Sequence, residues 1–543
     1  MAVAMMNLKD LLASWKAAVD GTTHPQPPDY GGPDVMFDRF TEKSGEVETG
    51  ACFVARVRTG SDGHPYIGQA IERGARLILA QRPAAEVGVI VPEDVGYLLV
   101  EDTAEAQAWL AAAAERFPSR ELMMIGITGT DGKTTTANIL FNILRAAGIR
   151  AGLLSTIKAD IGGAEELLEL HVTTPESPVV QRYLRRMADA GLTHCVLEVT
   201  SHALAQHRVA AVDFDMAVVT NITHEHLDYH GSYEAYFAAK RRLFEYLSAD
   251  FIHVPTHNRD KIELRRTAVL NRDDRSFRPL DEFLAGLPVE VVTYGLDAEA
   301  NVTASDIVYG PYETALTVRV DGKSLLVRAP LPGSFNVHNM LAASAAASAL
   351  GVAPETIREG LEGMGTLSGR MERIDRGQPF LVVVDFAHTP NALERAIGAA
   401  RGMIDGGRVI AVFGSAGKRD VAKRRLMAEA SARTADLSVL TAEDPRTESL
   451  DEILAMMAGA AEATGGVEGE TFWRVRDRGR AIHFALGLAR PGDVVLICGK
   501  GHEQSMCFGV VEYPWDDRQA TVTALEAFLA GGEMADLGLP TFD

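Results

Sequence analysis

A glycine-rich loop between an apolar run and an amphipathic segment constrains the fold of this chain most. Residues 122–127 read LMMIGI, the composition of a buried strand, and residues 129–135 read GTDGKTT. The next segment, TTANILFNILRAAG, repeats apolar residues at helical spacing and ends at Gly148, a residue suited to follow a helix. A strand, a glycine loop and a helix in this order form a phosphate-binding unit, because backbone amides at a helix N-terminus attract anions.

The residues of this loop predict nucleotide chemistry. Lys133 is placed to contact phosphates, and the hydroxyl of Thr134 is placed to ligate magnesium. Ile127 stands where a full Walker A sequence has a glycine five positions before Gly132, so the loop is the shorter GxxGK[ST] form. The alternative interpretation is a glycine-rich turn with an exposed lysine, which the flanking strand and helix disfavour.

Length and composition indicate a multidomain α/β protein. A chain of 543 residues suggests about three or four domains, and its 47% hydrophobic and 23% charged residues are typical of a protein with sizeable cores. Short apolar runs (ACFVARV, RLILAQ, VGYLLV) predict a small α/β domain over residues 1–117. Alternating strands and helices predict a parallel sheet in a central domain, residues 118–367, and a second doubly wound sheet in residues 368–543. Residues 291–327 instead predict an antiparallel flap on the central domain.

Charge and cysteine content exclude several classes of partner and compartment. The chain has 53 Lys and Arg residues against 74 Asp and Glu, a formal charge of −21 that repels polyanions, so nucleic acid is not an expected partner. A phosphate ester would then be bound by a few local basic residues. Four dispersed cysteines without a CxxC pair fit a reducing compartment. The N-terminus predicts no signal peptide, and no apolar run reaches the roughly 18 residues of a membrane span.

Acidic and histidine residues follow two further apolar runs. Glu198 lies in HCVLEV, and residues 224–228, which include His226, follow MAVVTNI. Ligands of doubly wound folds bind at such strand ends. Carboxylate and imidazole groups there are suited to Mg²⁺; two histidines two residues apart also suggest zinc, but phosphate chemistry favours magnesium. Plain surface polarity is the alternative for the His-Glu-His loop.

Lys240 lies on a predicted helix among apolar neighbours, in YFAAKRRLF. An exposed lysine more often has polar neighbours, although a lysine that snorkels from a half-buried helix explains this pattern too. Asp385 and His388, in VVVDFAHTP, close a buried strand and are placed to meet a nucleotide or to orient a reacting group. A lone Asp-x-x-His is also compatible with a structural role.

Two loops after later strands carry charged residues. Residues 499–503, GKGHE, follow VVLIC, and their glycines allow the backbone to approach a ligand closely. Residues 444–446, Asp-Pro-Arg, follow LSVLTAE in the same way. Arg446 is a candidate for binding an acidic substrate group through a bidentate fork; an ordinary surface arginine is the alternative.

A series of motifs, in chain order, closely resembles the Mur ligase family. From about residue 50 to residue 518, the chain reads GITGTDGKTTT, HVTTPES, LEVTSHAL, NITHEHLDYHG, YFAAKRRLF, GSFNVHNMLAA, LSGRMERI, VVVDFAHTPNALE, GKRDVAKRRLM, EDPRTE and GKGHEQ. Within the family, the series resembles the MurE-type ligases, which extend UDP-N-acetylmuramoyl-L-alanyl-D-glutamate. Each motif alone is weak evidence, whereas the ordered series is highly specific.

The resemblance implies an architecture and a reaction. It implies an N-terminal domain for the UDP-sugar, a central ATPase domain and a C-terminal Rossmann-like domain that brings the amino acid. ATP phosphorylates the substrate carboxylate to an acyl phosphate, which an amine then attacks, with Mg²⁺ as a cofactor. The implied partners are the UDP-N-acetylmuramoyl dipeptide and an amino acid, and a cytoplasmic monomer is expected.

The family's functional residues match positions of this chain in four groups. Those for ATP are Gly129, Thr130, Asp131, Gly132, Lys133, Thr134, Thr135, Asn339, Arg370, Asp385 and His388. Those for magnesium are Thr134, Glu198, His226 and Lys240, the last matching a carbamylated lysine; Lys133, Lys240, Glu198 and His226 are the catalytic set. Those for the UDP-muramoyl peptide are Ser44, Thr173, Thr174, Ser201, Gln206 and Arg208. Those for the incoming amino acid are Arg419, Asp444, Arg446, Gly499 and Glu503.

The chain departs from the family pattern at several of these positions. Asp131 replaces the usual Asn and adds a negative charge beside the phosphates. His224-Glu225 replaces a common Arg-Asp, and Phe386 replaces a usual Tyr. Residues 43–45, Lys-Ser-Gly, align with an Asp-Ser-Arg that contacts the uridine. The specificity motif, commonly Asp-Asn-Pro-Arg, reads Glu-Asp-Pro-Arg from residue 443.

The leading hypothesis is a ligase that adds meso-2,6-diaminopimelate, because Arg446 suits a second carboxylate. Addition of L-lysine or L-ornithine by the same kind of enzyme is the first alternative. A folylpolyglutamate synthase shares the central architecture and the acyl-phosphate route. A nucleotide-binding protein that has lost ligation is the third alternative, which the changes at Asp131 and at residues 43–45 keep open.

Overall fold

The computed structural model describes residues 5–58, 60–167, 173–223, 225, 227–248, 265–310 and 312–541. These residues form two compact units. The first draws on the ranges Met1–Ile222, Glu234–Thr293 and Ala345–Val352, and the second on Thr223–Tyr233, Tyr294–Ser344 and Ala353–Asp543.

The first residues of the chain build a small parallel sheet with order β3-β4-β7-β8. The predicted apolar runs supply its three longest strands, of which β4 and β7 are fully buried and β8 is buried in part. The strands are β1 (Met6–Asn7), β2 (Met36–Phe37), β3 (Phe40–Thr41), β4 (Cys52–Val54), β5 (Val57–Arg58), β6 (Ser61–Asp62), β7 (Leu77–Ala80) and β8 (Gly96–Leu99). The helices are α1 (Leu8–Val19), α2 (Ile67–Glu72), α3 (Ala84–Val87) and α4 (Thr103–Ala114), with 3-10 helices at Ser44–Glu46 and His64–Tyr66.

An eight-stranded sheet follows, with order β12-β11-β10-β13-β9-β14-β15-β16. Strands β10, β13, β9, β14 and β15 are parallel neighbours, as the alternation predicts. The strands are β9 (Met123–Thr128), β10 (Ala151–Leu154), β11 (Lys158–Ile161), β12 (Ala164–Leu167), β13 (His194–Glu198), β14 (Met216–Val219), β15 (Thr267–Asn271) and β16 (Glu290–Tyr294). The helices are α5 (Lys133–Ala146), α6 (Ser177–Asp189), α7 (Ser201–Ala205), α8 (Leu227–His230), α9 (Tyr233–Glu245) and α10 (Phe277–Leu284), with 3-10 helices at Pro118–Arg120 and Tyr246–Ser248.

The predicted strand, loop and helix are present as β9, residues 129–132 and α5. Every residue of β9 is buried, and the four apolar residues Ile139, Leu140, Ile143 and Leu144 of α5 are fully buried. Gly148 has a φ of +72°, a left-handed conformation that glycine adopts without strain, just after the helix ends. Because β9 lies between β13 and β14, the ends of those strands flank the loop.

Within the first unit, the small N-terminal sheet and the eight-stranded sheet share a packed boundary. Helix α4 contacts both α1 and α6, and Trp15 stacks on Trp109 with ring centroids 5.9 Å apart. The guanidinium of Arg120 donates to the carbonyl of Ala18 at 2.7 Å. Ala210 and Ala211 complete the N-terminal apolar core. Contacts of this kind fix the position of the N-terminal sheet on the central one.

An antiparallel sheet of order β17-β18-β19 forms the first part of the second unit. It confirms antiparallel pairing for ALTVRV and SLLVRA, but residues 291–294 were wrongly included, since they belong to β16 of the eight-stranded sheet. Their alternation reflects an edge strand, half exposed along part of its length. The strands are β17 (Thr303–Tyr309), β18 (Thr314–Val320) and β19 (Lys323–Ala329), followed by helices α11 (Ser334–Ala349) and α12 (Pro354–Glu362).

A six-stranded sheet of order β20-β21-β25-β22-β23-β24 forms the rest of this unit. All neighbours from β21 to β24 are parallel, which confirms the second doubly wound sheet. The strands are β20 (Glu372–Arg373), β21 (Leu381–Asp385), β22 (Val409–Phe413), β23 (Leu437–Leu440), β24 (Phe472–Arg474) and β25 (Val494–Cys498), with a hairpin of β26 (Ser505–Phe508) and β27 (Val511–Pro514). The helices are α13 (Pro390–Gly402), α14 (Val421–Thr434), α15 (Leu450–Ala463), α16 (Arg478–Leu488) and α17 (Asp517–Leu529).

Among the described residues, no helix is both long enough and apolar enough to cross a membrane.

Candidate active site

The phosphate loop is held in shape by the end of β14. Gly129 has a φ of +155°, and a Cβ atom there would lie 1.8 Å from the Thr220 hydroxyl, so only glycine fits. The same hydroxyl donates to the carbonyl of Asp131 at 2.6 Å. The Asn221 side chain accepts from the Asp131 amide at 3.1 Å and donates to its carbonyl at 3.1 Å. The loop is therefore preorganised by residues 90 positions away in sequence.

Lys133 folds back over this loop as the first residue of α5. Its Nζ donates to the carbonyls of Gly129 at 3.0 Å and of Thr130 at 2.8 Å. Gly132, with a φ of +82°, provides the turn into the helix. A cation thus stands at a helix N-terminus, where backbone amides also favour an anion.

Lys240 reaches the same loop from α9. Its side chain is 2% exposed, its Nζ donates to the carbonyl of Gly129 at 2.6 Å, and it lies 4.7 Å from the centre of the Tyr236 ring. The snorkelling interpretation is wrong for this lysine, since the amine is buried. Both Lys133 and Lys240 donate to one carbonyl oxygen, so two amines lie close together at the loop.

Glu198 ends β13 beside the loop and is 1% exposed. Its carboxylate accepts from the Thr134 hydroxyl at 3.0 Å, from the Thr156 amide at 3.0 Å and from the Thr156 hydroxyl at 2.9 Å. In the part of the chain that the structure describes, no lysine, arginine or histidine forms an ion pair with it. Buried carboxylates are usually paired with a cation or bound to a metal, so this oxygen-rich corner fits a cation such as Mg²⁺.

The structure brings together two of the residues predicted to hold magnesium, whereas a third lies outside the described residues. The sequence predicted Thr134 and Glu198 as ligands, and their side chains lie close together in the structure. The sequence analysis did not identify Thr156, although this residue follows the carboxyl end of β10, where ligand groups are expected. His226 lies outside the described residues. Among the residues that are described, no group of three or more His, Cys, Asp and Glu side chains is placed to hold a metal.

The positions matched to the UDP-muramoyl peptide cluster around Arg208. Its guanidinium donates to the carbonyl of Thr174 at 2.7 Å and to the Gln206 side chain at 2.8 Å, and it pairs with Glu176 at 2.9 Å. Thr173 adjoins Thr174, and Ser201 is buried at the start of α7. The Thr174 hydroxyl donates to the backbone carbonyl of Glu198 at 2.9 Å, which links this group to the phosphate loop.

Charged residues of the N-terminal sheet, which the sequence did not single out, join this cluster. Arg56 and Arg58 follow β4 and pair with Glu42 at 3.5 Å and 2.5 Å. Burial raises the pKa of Glu42 although both arginines act to lower it, and Arg208 acts on it as well. Three arginines therefore meet at one place. Ser44 lies two residues after Glu42, in the 3-10 helix Ser44–Glu46.

In the second unit, Arg370, Asp385 and His388, three of the residues matched to the nucleotide, gather around Phe386. The guanidinium of Arg370 lies 4.6 Å from the ring centre of Phe386, and the His388 and His502 rings lie 4.5 Å and 4.7 Å from it. Asp385 ends β21 and accepts from two backbone amides at 2.8 Å, which fixes its carboxylate. Burial, followed by nearby cationic side chains, lowers the pKa of His502 to about 3, so this ring is neutral at physiological pH. Asn339 is buried in α11 and donates to the Asn336 side chain at 3.0 Å.

The residues matched to the incoming amino acid meet around Lys500, which is 2% exposed. Its amine pairs with Asp444 at 3.0 Å and with Glu503 at 2.5 Å. Burial acts to lower the pKa of Lys500, but the two carboxylates outweigh it and raise the value. Asp444 and Glu503, which the resemblance matches to the incoming amino acid, thus already share one cation, a pairing that the sequence did not predict.

Arg446, unlike Asp444, forms no ion pair with any of the described residues. Its backbone has a φ of +55°, strained for a side-chain-bearing residue, and is held by hydrogen bonds of 3.0 Å and 2.7 Å to Cys507 and Gly509. Its Nε is buried, and none of the described residues accepts a hydrogen bond from it or pairs with its guanidinium. Arg419 is exposed, two residues beyond Gly417, whose amide donates to the Asp444 carbonyl at 2.9 Å.

Glu443 is buried against Gly499, the remaining member of this group. A Cβ atom on Gly499, which has a φ of +119°, would lie 2.5 Å from the Glu443 carboxylate. One oxygen of that carboxylate has no hydrogen-bond partner within the described part of the chain. Burial raises the pKa of Glu443 from 4.5 to about 7, although Arg478, Lys423 and Lys500 act to lower it.

The raised pKa of Glu443 predicts a pH-dependent stability. The folded state binds the proton more tightly than the unfolded state, so the stabilisation is complete below about pH 4.5 and is lost as the pH rises through about 7. We expect Glu443→Gln to remove this dependence, up to about 3 kcal/mol between the two limits. Thermal unfolding of both proteins at pH 5 and pH 8 measures it, with exposed Glu533→Gln as control. Parallel losses in wild type and Glu443→Gln would contradict the expectation.

Comparisons with known proteins agree with this geometry. Residues 127–347 match the Mur ligase middle domain, and residues 369–501 match the Mur ligase glutamate ligase domain. The first range contains the phosphate loop, Glu198 and Lys240. The second contains Asp385, Asp444, Arg446 and Gly499.

Curated relatives and a solved structure match over most of the chain. A UDP-N-acetylmuramyl-tripeptide synthetase of Roseiflexus sp. is 43% identical over 94% of this chain and 97% of its own. A UDP-N-acetylmuramoyl-L-alanyl-D-glutamate--2,6-diaminopimelate ligase of Bacillus licheniformis is 39% identical over 92% and 96%. A solved structure with the same ligase name is 29% identical, with a TM-score of 0.58 over 91% of this chain and 95% of its own. With two family domains around the phosphate loop and relatives of this identity along nearly its full length, the chain belongs to the Mur ligase family.

Proposed function

We propose that this protein is an ATP-dependent ligase that adds meso-2,6-diaminopimelate to UDP-N-acetylmuramoyl-L-alanyl-D-glutamate in peptidoglycan biosynthesis. The observation that carries the proposal is at the carboxyl ends of the strands of the eight-stranded sheet. There a preformed phosphate loop meets Lys133, Lys240 and the buried Glu198 carboxylate, which pairs with no cationic side chain among the described residues. The relatives named for this reaction support it. The proposal includes three domains, with boundaries between residues 117 and 118 and between residues 367 and 368. It also includes a monomeric protein that acts in the cytoplasm.

In the first step, a carboxylate oxygen of the substrate attacks the γ-phosphorus of ATP, and ADP leaves. Loop residues 129–135 offer amides to the phosphates, and Lys133 follows the charge onto the transferred group. In the second step, the amine of the amino acid attacks the carbonyl carbon of the acyl phosphate, and phosphate leaves. Asn339, Arg370, Asp385 and His388 serve as further nucleotide contacts.

Thr134 and Glu198 are the residues of this chain that would hold magnesium, with His226 completing the set. Magnesium, when bound, neutralises charge on the phosphate oxygens. The oxygen donors fit this ion, and so does the buried Glu198 carboxylate, for which the described part of the chain supplies no ion-pair partner. Thr156 holds the second side of Glu198, so that one oxygen stays directed at Thr134.

Lys240 carries a carbamate in this proposal. The Lys240 ammonium first loses one proton to water, and the neutral Nζ then attacks the carbon of dissolved CO₂. A second proton passes from that nitrogen to water, so that the cation becomes an anion with two oxygens. Lys133 and Lys240 donate to the same carbonyl oxygen, so a carbamate on Lys240 replaces one of two adjacent amines by an anionic group. The product is a third oxygen donor group beside the loop.

The three arginines Arg56, Arg58 and Arg208 form the local basic site that a chain of −21 formal charge needs for a phosphate ester. We assign the UDP-muramoyl peptide to this cluster, with Thr173, Thr174, Ser201 and Gln206 around it and Ser44 at its edge. The change at residues 43–45 is compatible with this assignment, because the arginines come from the chain after β4 and from the chain after α7.

The amino-acid site favours diaminopimelate over lysine and ornithine. Lys500 pairs with both Asp444 and Glu503 and offsets one of their two negative charges, so they offer a distal ammonium less net charge than two unpaired carboxylates would. The guanidinium of Arg446 lacks an acidic partner among the described residues, and a second carboxylate would supply one. Arg419 and Gly499 complete the site.

Two alternatives from the sequence carry less support. A folylpolyglutamate synthase shares the phosphate chemistry, but the relatives that match over more than nine-tenths of the chain carry muramyl names. A protein that binds nucleotide without ligation would have no need for both Lys133 and Lys240 at the Gly129 carbonyl. It would also have no need for a buried Glu198 that lacks an ion-pair partner among the described residues.

Phosphate release tests the proposal. Release should require ATP, magnesium, the UDP-muramoyl dipeptide and diaminopimelate together, and omission of any of the four should reduce it to background. Release with a folate substrate and glutamate, or no release with any amino acid, would contradict the proposed function.

Arg446→Ala should weaken discrimination among the diamines. Loss of one charged hydrogen bond to the second carboxylate costs roughly 1.5 to 3 kcal/mol, so kcat/KM for diaminopimelate should fall by about 10- to 150-fold. The values for lysine and ornithine should change little. Competition assays measure the ratio, and the exposed residue Arg425 supplies a matched control, Arg425→Ala. An unchanged preference in Arg446→Ala would show that another residue binds the second carboxylate.

A further inference from the structure

A buried ion pair outside the proposed contact residues connects the two loops of the amino-acid site. Arg478, the first residue of α16, and Asp517, the first residue of α17, are both fully buried. Nε of Arg478 donates to one carboxylate oxygen at 2.7 Å, and Nη2 donates to the other at 2.7 Å. The Trp515 indole also donates to Asp517 at 2.8 Å.

The same guanidinium holds two backbone carbonyls. It donates to Ala442 at 3.1 Å and to Cys498 at 2.8 Å. Ala442 directly precedes Glu443 and Asp444, and Cys498 directly precedes Gly499 and Lys500. One side chain thus fixes the starting points of both loops.

The sheet itself does not connect these two points. Strands β23 and β25 are separated by β22, so no ladder of backbone hydrogen bonds joins their ends. The loops meet above through the Lys500–Asp444 pair and through the contact of Glu443 with Gly499. Asp444 and Arg446 have φ values of +39° and +55°, strained conformations that persist only where neighbours hold them.

We propose that Arg478, held by Asp517, is a positioning residue that sets the spacing and orientation of the amino-acid-binding loops. The inference rests on the proposed function for the identity of the ligand. It assigns Arg478 no contact with substrate, since the side chain is fully buried.

The test replaces the pair by an apolar one. Arg478→Met with Asp517→Leu removes both charges of the pair, so that neither member is left as an unpaired buried ion, an exchange that folded proteins often tolerate. We expect the KM for diaminopimelate to rise about tenfold or more, because displacement of a binding group by about an ångström costs up to 100-fold. The KM values for ATP and for the UDP-muramoyl dipeptide should not change. Arg478→Lys, which keeps the charge but not the fork, should shift the same KM in the same direction if the double variant fails to fold.

Arg408 and Asp493 supply the matched control. They pair at 2.6 Å at the amino ends of β22 and β25, whereas Arg478 lies near the carboxyl ends of the strands of the same sheet. Replacing them by Met and Leu should lower stability without a selective rise in the KM for the amino acid. An equal rise in the control, an unchanged KM in the folded Arg478 variant, or a joint rise of all three KM values would overturn the proposal.

Hydrogen exchange separates this inference from the proposed function. Without any substrate, amides of residues 442–444, of Arg446 and of residues 498–503 should exchange at least about tenfold faster in the double variant, because local opening needs less free energy. Amides of β21 and β22 should not change. If wild-type protein releases no phosphate, the proposed function fails; if exchange in the two loops is unaltered, the role of Arg478 fails.

Discussion

Lys133→Ala should lower kcat by about 10³-fold, because the variant loses the cation that follows charge onto the transferred phosphoryl group. The Lys133 amine lies over the loop, with hydrogen bonds to two of its carbonyls, and is placed to swing toward bound phosphates. Phosphate release in the presence of all substrates measures the loss.

The control for this prediction separates charge from folding. Lys133→Arg keeps the charge and should retain more activity than Lys133→Ala, and thermal unfolding should show that both variants are folded. Near-native turnover by folded Lys133→Ala would remove the loop from the mechanism.

Lys240→Ala should be inactive, by a factor of about 10³, and partly recovered by a short carboxylic acid. The expected loss is that of one group that stabilises charge in the transition state. Acetate or formate can enter the space left by the side chain and replace the carbamate oxygens. Activity of the variant with and without about 100 mM acetate or formate, at constant ionic strength, measures the rescue.

Ethylamine is the matched additive for Lys240→Ala, since it restores an amine but no oxygens. Rescue by ethylamine and not by acetate would show that Lys240 acts as a cation, and would contradict the carbamate. In wild-type protein, removal of dissolved CO₂ should lower activity reversibly.

The sheets and the phosphate site could be predicted because their signals are local. Residues 122–148 encode strand, loop and helix in one continuous stretch, and Glu198 ends a neighbouring apolar run. The rule that parallel strands present ligand groups at their carboxyl ends then places both at one edge. Residues 290–294 show the limit: an edge strand and a flap strand have the same alternation, and only the sheet partner distinguishes them.

Other parts of the site depend on contacts between distant positions. Arg56 and Arg208 are 152 residues apart in the printed sequence, and neither carries a local sign that they meet. Lys500 reads as one residue of a glycine loop, yet its pairing with Asp444 changes which ligand group the site favours. The burial of Lys240 likewise follows from the loop that it contacts and not from its helix alone.

Identification of the product tests the central claim most directly. The protein is incubated with ATP, magnesium, the UDP-muramoyl dipeptide and an equimolar mixture of diaminopimelate, lysine and ornithine. The products are then identified and quantified by mass spectrometry. The account predicts one dominant product, the UDP-muramoyl tripeptide that carries diaminopimelate, formed together with one ADP per ligation. A product dominated by lysine or ornithine, or ADP formed without any tripeptide, would contradict it.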